Sequence, residues 1–175
     1  MVWRLGQGRR HAASSQLWSR AFLDLGCSRA PAILCVFQGI DHTAITASDT
    51  DQSLAFYRDR FGLRVAGASE NYGPEQEHLN GVFGARLRIT ALRAASGPGI
   101  ELLEYLSPRG GRPMPNAARA NDLLHWQVIV SAIDSSALGL AATATGGREV
   151  SHSNATREVL LRDRDGHALL ARDSR

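Results

Sequence analysis

Residues 39–57 read GIDHTAITASDTDQSLAFY, a strand carrying a histidine, then a capped turn, then an amphipathic helix. Residues 40–46 alternate and are rich in β-branched side chains, which puts His42, Ala44 and Thr46 on one face of a strand. Asp49-Thr50-Asp51 supplies side-chain oxygens of the kind that cap a helix N-terminus. Leu54, Tyr57 and Phe61 follow at the spacing of a helix lying on a sheet, and Gly62 is placed to close it. The stretch has an echo. Setting His42 against His125 also sets Ser48 against Ser131, Asp51 against Asp134 and Ser53 against Ser136. A duplicated unit is the economical reading, and two histidines at equivalent places can meet if the copies pack face to face.

Outward from this stretch, a second strand starts at residues 63–66. The polar run ENYGPEQEHLNGVFG, residues 70–84, holds three glycines and a proline and reads as a loop with a short helical turn. Residues 85–92 and 100–106 are strand-like and are joined through Gly97-Pro98-Gly99 as a hairpin. Residues 107–122 are a linker by composition. The second unit then reads as a strand over 123–130, an alanine-rich helix over 134–145 closed by Gly146-Gly147, and a strand over 148–151. A hairpin of 158–162 and 167–172 turns at Asp163-Arg164-Asp165-Gly166. The fold class is α+β, with two βαβββ modules at about 39–106 and 123–173 forming a cupped mixed sheet. Residues 1–38 stand apart as a basic leader, and 39–175 form the domain.

The 175 residues, 43% of them hydrophobic, suffice for one well-buried domain. The net charge of +3 belongs to the leader, where residues 1–38 hold five arginines and one acid against 15 arginines and 16 acids in 39–175. A nearly neutral body lacks the electrostatic footprint of a nucleic-acid binder. The chain has no lysine, which excludes Schiff-base chemistry and reflects the coding bias of a GC-rich, bacterial genome. Cys27 and Cys35 match neither a redox pair nor a zinc knuckle, so a reducing, cytoplasmic setting is expected. No apolar run is long enough for a membrane span.

Four pieces, IDHTAITASDTDQSLAFYRDRFGLRV, GIELLEYL, LLHWQVIV and LRDRDGHALL, together resemble the vicinal oxygen chelate superfamily, the glyoxalase, bleomycin-resistance and extradiol-dioxygenase group. The resemblance implies two βαβββ modules around a metal site, with one ligand from the first strand and one from the last strand of each module. Carried onto this chain, those positions are His42, Glu101, His125 and Leu170. The first three can bind a divalent Zn, Ni, Mn or Fe ion, and Glu101 would have to serve as the base as well, or the base would come from elsewhere. Leu170 departs from the pattern, standing where the family has a carboxylate. Extradiol dioxygenases are similar in using two histidines and one carboxylate, but theirs comes from the strand that carries Leu170 here.

Glu101 and Glu104 point to opposite faces of one strand, so Glu104 is expected to face solvent. His167 is expected at the surface and Trp126 against a helix. The irregular stretch and the strand after it offer Tyr72, Gln76, His78, Asn80, Arg86 and Arg88 as substrate contacts, and Gln127 joins them because it shares the face of His125. The expected function is a metal-dependent lyase or isomerase of the glyoxalase or epimerase type, acting on a small oxygen-bearing molecule and free to pair as a homodimer. The alternative is a protein that sequesters a small ligand, as bleomycin-resistance members do; Leu170 favours it.

Overall fold

Each half of the chain builds its own four-stranded sheet, and the same connection pattern recurs in both. The computed structural model describes residues 39–174 apart from 116 and 120. Residues 1–38 lie outside the described residues, and so does the reading of them as a leader. The first module runs β1 (His42–Thr46), α1 (Thr50–Tyr57), β2 (Arg64–Tyr72), α2 (Pro74–Asn80), β3 (Arg86–Arg93) and β4 (Gly99–Ser107). The second runs β5 (Gln127–Ala132), α3 (Ser135–Thr143), β6 (Arg148–Ser153), β7 (Glu158–Arg162) and β8 (Ala168–Asp173). The strand orders are β1-β4-β3-β2 and β5-β8-β7-β6, with β1 parallel to β4, β5 parallel to β8 and the other neighbours antiparallel. Two βαβββ modules of mixed sheet are therefore present. Among the described residues no helix is long and apolar enough to cross a membrane.

Two local expectations are corrected. The polar stretch after residue 70 is more ordered than its composition indicates: β2 continues to Tyr72, and α2 starts at Pro74, whose missing N–H costs nothing in a first helical turn. In the second module β5 begins only at Gln127. Residues 123–126 are not strand, and the backbone N–H of His125 donates to the carbonyl of Asp122 at 2.9 Å.

Helix α1 is held from both sides. Its N-cap is Asp49, whose carboxylate accepts from the backbone N–H of Gln52 at 3.0 Å. At the other end Gly62, at φ +72°, turns the chain out of the helix, a conformation a side chain would strain. The stripe Leu54, Tyr57 and Phe61 does face the core, but Phe56 is buried completely as well and stacks on Phe61 at 4.5 Å. A helix lying on one sheet needs one stripe; this one is covered by both modules. One apolar cluster joins Ile45, Leu92, Ile100 and Leu102 of the first sheet with Val159, Leu161, Leu169 and Ala171 of the second, with Phe56 and Tyr57 among them. Gly147 makes the close approach possible, because a Cβ there would come within 2.7 Å of the Phe56 ring and 2.6 Å of the Arg162 carbonyl.

A polar knot sits beside this apolar contact. The Tyr57 hydroxyl donates to Asp163 Oδ2 at 2.8 Å across the two modules, and His167 Nδ1 lies 2.9 Å from the same oxygen. The backbone N–H groups of Asp165 and His167 donate to Asp163 Oδ1 at 3.0 and 2.8 Å. Ser48 N–H completes the link by donating to Asp165 at 2.9 Å. His167 is thus not the surface residue its place beside a turn implies: its side chain is 11% exposed. Trp126 packs near the His167 ring, 5.7 Å between centroids.

The helix N-termini reveal a second repeated device. In the first module Thr50 N–H donates to Glu104 at 3.1 Å, and Arg88 lies 3.8 Å from the same carboxylate. In the second, Ser135 N–H donates to Asp173 at 2.7 Å, and Arg157 pairs with that carboxylate at 2.7 Å. Glu104 therefore does not face solvent. It points away from Glu101, as strand alternation requires, but that face lies under α1, where a carboxylate meets orphan N–H groups and the positive end of the helix dipole.

Removing the carboxylate leaves a buried N–H unpaired, so Glu104→Ala is expected to destabilise the protein by about 1–3 kcal/mol, read as a lower denaturant midpoint. An unchanged midpoint would show that water replaces the carboxylate without cost. The Tyr57–Asp163 link carries a pH signature. Burial and the Asp163 charge hold the Tyr57 hydroxyl well above its ordinary range. Burial raises Asp163 too, but the bond to His167, its charge and the Tyr57 hydroxyl outweigh that and leave the carboxyl below its usual value. The Asp163 contribution is present above the unfolded carboxylate pKa of about 3.9 and is lost as pH falls through the lower folded value. The Tyr57 contribution is present below about pH 10 and is lost as pH rises towards the raised folded value. Urea midpoints of wild type and Tyr57→Phe, measured from neutral pH to above 10, should converge at the alkaline end; parallel curves would contradict the link.

Candidate functional site

The two strands that pair in parallel at the edge of the first sheet place its most reactive groups together. His42 opens β1 opposite Gly99, and Ala44 stands opposite Glu101. His42 and Glu101 thus share the face turned away from the apolar cluster, where Ile45 and Leu102 point the other way. His42 Nε2 lies 3.4 Å from Glu101 Oε2, with the side chains 32% and 24% exposed. An imidazole and a carboxylate at that distance form a half-shielded pair reachable from solvent, able to accept and return a proton.

His125 does not join them. It is half-buried in the turn before β5, and among the described residues no group of three or more histidine, cysteine, aspartate or glutamate side chains is placed to hold a metal ion. Catalytic zinc sites take three protein ligands; the pair supplies two, so one chain alone does not fit the ion. The reason lies in the register of the repeat. Asp49 caps α1 through the N–H three residues on, and Asp134 caps α3 in the same way, through Ala137 N–H at 3.3 Å. Matching these caps sets His42 against Gln127, two residues beyond the histidine that the echo had matched. The strand pairing agrees: Gln127 stands opposite Ala168 as His42 stands opposite Gly99, and Ile129 stands opposite Leu170 as Ala44 stands opposite Glu101. Leu170 is thus the counterpart of Glu101, half-buried on the outward face beside the exposed Ile129 and opposite Leu160.

The other expected contacts scatter. Arg88 is on the helix side of β3, bidentate to Asp51 at 2.8 and 3.2 Å, because its partner across the sheet is Glu104 and not Glu101. Arg86 is paired with Glu70 at 2.6 Å. Tyr72, 71% exposed, lines an open groove of about 590 Å³ with Glu77, Arg86 and Ser107, at the far end of β4 from Glu101. His78 is exposed in the last turn of α2. Gln76 is buried, and its amide N–H₂ donates to Asn80 Oδ1. Asn80 in turn donates to the Tyr105 hydroxyl at 2.8 Å. Gln127 is exposed on the face that carries Leu170. Tyr105 was missed in the sequence; its parity with Glu101 along β4 was the available signal.

Comparison with known proteins places this geometry. Residues 39–170 match the family model described as Glyoxalase/Bleomycin resistance protein/Dioxygenase superfamily. Compared with curated proteins by sequence, the chain finds no match. Among solved structures it is similar to a glyoxalase family protein from Bacillus cereus, at TM-score 0.67 and 19% identity over 77% of this chain and 92% of the other. The trypanothione-dependent glyoxalase I of Leishmania major gives TM-score 0.54 and 15% identity, covering 77% and 86%. The fosfomycin resistance protein FosX of Mesorhizobium loti gives 0.53 and 13%, covering 78% and 91%. At these identities the structural likeness establishes the fold alone.

Proposed function

We propose that this chain, which belongs to the Glyoxalase/Bleomycin resistance protein/Dioxygenase superfamily, is a small-molecule enzyme of the lyase or isomerase type, working at the His42–Glu101 face. The observation that carries the proposal is the 3.4 Å approach of those two side chains on an accessible sheet face. Glu101 takes a proton from the hydroxyl-bearing carbon beside a substrate carbonyl. The His42 imidazole carries a proton from that hydroxyl to the former carbonyl oxygen, so that the hydroxyl carbon becomes the new carbonyl, and return of the carbon-bound proton from Glu101 to the neighbouring carbon completes an isomerisation. Similar structures carry the names glyoxalase I and fosfomycin resistance protein, which is consistent with a compact oxygenated substrate.

The site works as half of a pair. The apolar cluster joins the helix-side faces of both sheets, so the faces bearing His42–Glu101 and Gln127–Leu170 both turn outward and cannot close on each other in one chain. A homodimer that sets the first face of one copy against the second face of the other supplies what each lacks, including His125 as a third donor for a divalent Zn, Ni, Mn or Fe ion. A second reading, a sequestering protein without turnover, is favoured by Leu170 and the exposed Ile129, which make the second face apolar where the first is charged.

Two measurements separate these readings. Metal analysis and sedimentation of the purified protein should give a dimer with a stoichiometric divalent ion that Glu101→Gln loses. NMR in D₂O should show deuterium entering hydroxyacetone beside its carbonyl with wild type and not with that variant. A monomer with no ion and no exchange returns the sequestering reading. Because Leu170 is half-buried next to an exposed side chain, Leu170→Glu is expected to fold with a hydrated carboxylate and to raise Zn²⁺ affinity about tenfold or more, seen as a larger shift in melting temperature with metal. Loss of stability with no gain in metal binding rejects the placement of Leu170 on the ligand face.

A further inference from the structure

A chain of donors runs from α2 onto the face that carries Glu101. Gln76, 7% exposed, gives its amide proton to Asn80 Oδ1, and Asn80 Nδ2 gives one to the Tyr105 oxygen at 2.8 Å. Every link points the same way, so the Tyr105 oxygen is already accepting and its own proton is the free end of the chain. Among the described residues no acceptor takes it. Tyr105, half-buried, alternates with Glu101 and Leu103 along β4 and pairs with Leu87, next to the register shift at the start of β3. It therefore stands on the same face as His42 and Glu101, about 13 Å along the strand from Glu101 at roughly 3.3 Å per residue.

We propose that Tyr105 is a ligand-binding residue of this face: its hydroxyl donates to an anionic or carbonyl oxygen at the far end of an elongated substrate whose reacting end lies at His42–Glu101. Asn80 and Gln76 are positioning residues that aim this hydroxyl. Donation from Asn80 leaves the phenol oxygen with its proton to give, and polarises it towards a stronger donor. A substrate with an acceptor at its remote end is held by a bond to a pre-aimed group, so little rotamer freedom is lost on binding. The groove lined by Tyr72 and Arg86 lies further along the same end of the sheet and takes no part.

This assignment rests on the reading of His42–Glu101 as the reacting end, and the test keeps the two apart. Three hydroxamic acids serve as probes, since a hydroxamate offers one donor and one acceptor to a carboxylate–imidazole pair and also chelates a divalent ion. Acetohydroxamic acid reaches only the pair; octanohydroxamic acid and suberic acid monohydroxamate both span to Tyr105, ending in a methyl and a carboxylate. By calorimetry, wild type should bind the carboxylate-ended probe more tightly than the methyl-ended one. Tyr105→Phe should remove about tenfold of affinity for the carboxylate-ended probe alone, the size expected for a charge-assisted hydrogen bond. Asn80→Ala should lose part of the same selectivity while binding acetohydroxamic acid as wild type does. If acetohydroxamic acid binds but Tyr105→Phe changes no probe, or weakens all three equally, the assignment to Tyr105 falls and the His42–Glu101 reading stands. If none of the three binds wild type, both fall.

Discussion

The architecture depends on one buried carboxylate. Asp163 has its side chain 3% exposed, where an ionised carboxylate is costly unless its lone pairs are met. Here Tyr57, His167 and two backbone N–H groups meet them. Three of these donors belong to the turn that carries Asp163; the fourth, the Tyr57 hydroxyl, comes from the other module, so the full set is complete only when the modules dock by their helix sides. That docking buries Phe56 against Gly147 and leaves the opposite sheet faces pointing away from the core. The outward placement of His42–Glu101 is thus a consequence of how the cores were joined.

The duplication has been kept unevenly. On the helix side, both modules bind the first-turn N–H of their helix with a carboxylate on the last strand and set an arginine beside it: Thr50, Glu104 and Arg88 in one, Ser135, Asp173 and Arg157 in the other. On the outward side the same positions carry His42 and Glu101 in one module and Gln127 and Leu170 in the other. The helix-side residues hold each helix to its own sheet, so losing one leaves buried groups unpaired. The outward residues hold no helix to its sheet, and the histidine–carboxylate pair stands on one module only.

Residue order settled the modular plan. Strand alternation, the Asp49 cap and the echo between halves sufficed to predict two βαβββ units, because these are local properties: a strand repeats every two residues and a helix cap reaches three, whatever surrounds them. The choice of Glu101, and of Leu170 as the position lacking a carboxylate, came instead from the resemblance to the superfamily. Matching His42 to His125 went wrong because identical residue types in two copies are a weaker guide to register than hydrogen bonds, and the caps and the strand pairing choose Gln127.

What covers each face was decided only in three dimensions. Alternation says that Glu104 and Arg88 oppose Glu101, but not that α1 lies over them and turns an expected solvent face into a buried cap. It places His167 beside a turn, but not under the tyrosine of the other module. Nor does it say that two sheets will share their helix sides, with no three potential metal ligands gathered among the described residues. Periodicity fixes the direction of a side chain relative to its own strand. The partner it meets there comes from segments far away in sequence, brought in by the joint burial of apolar surface and the need to satisfy every buried charge.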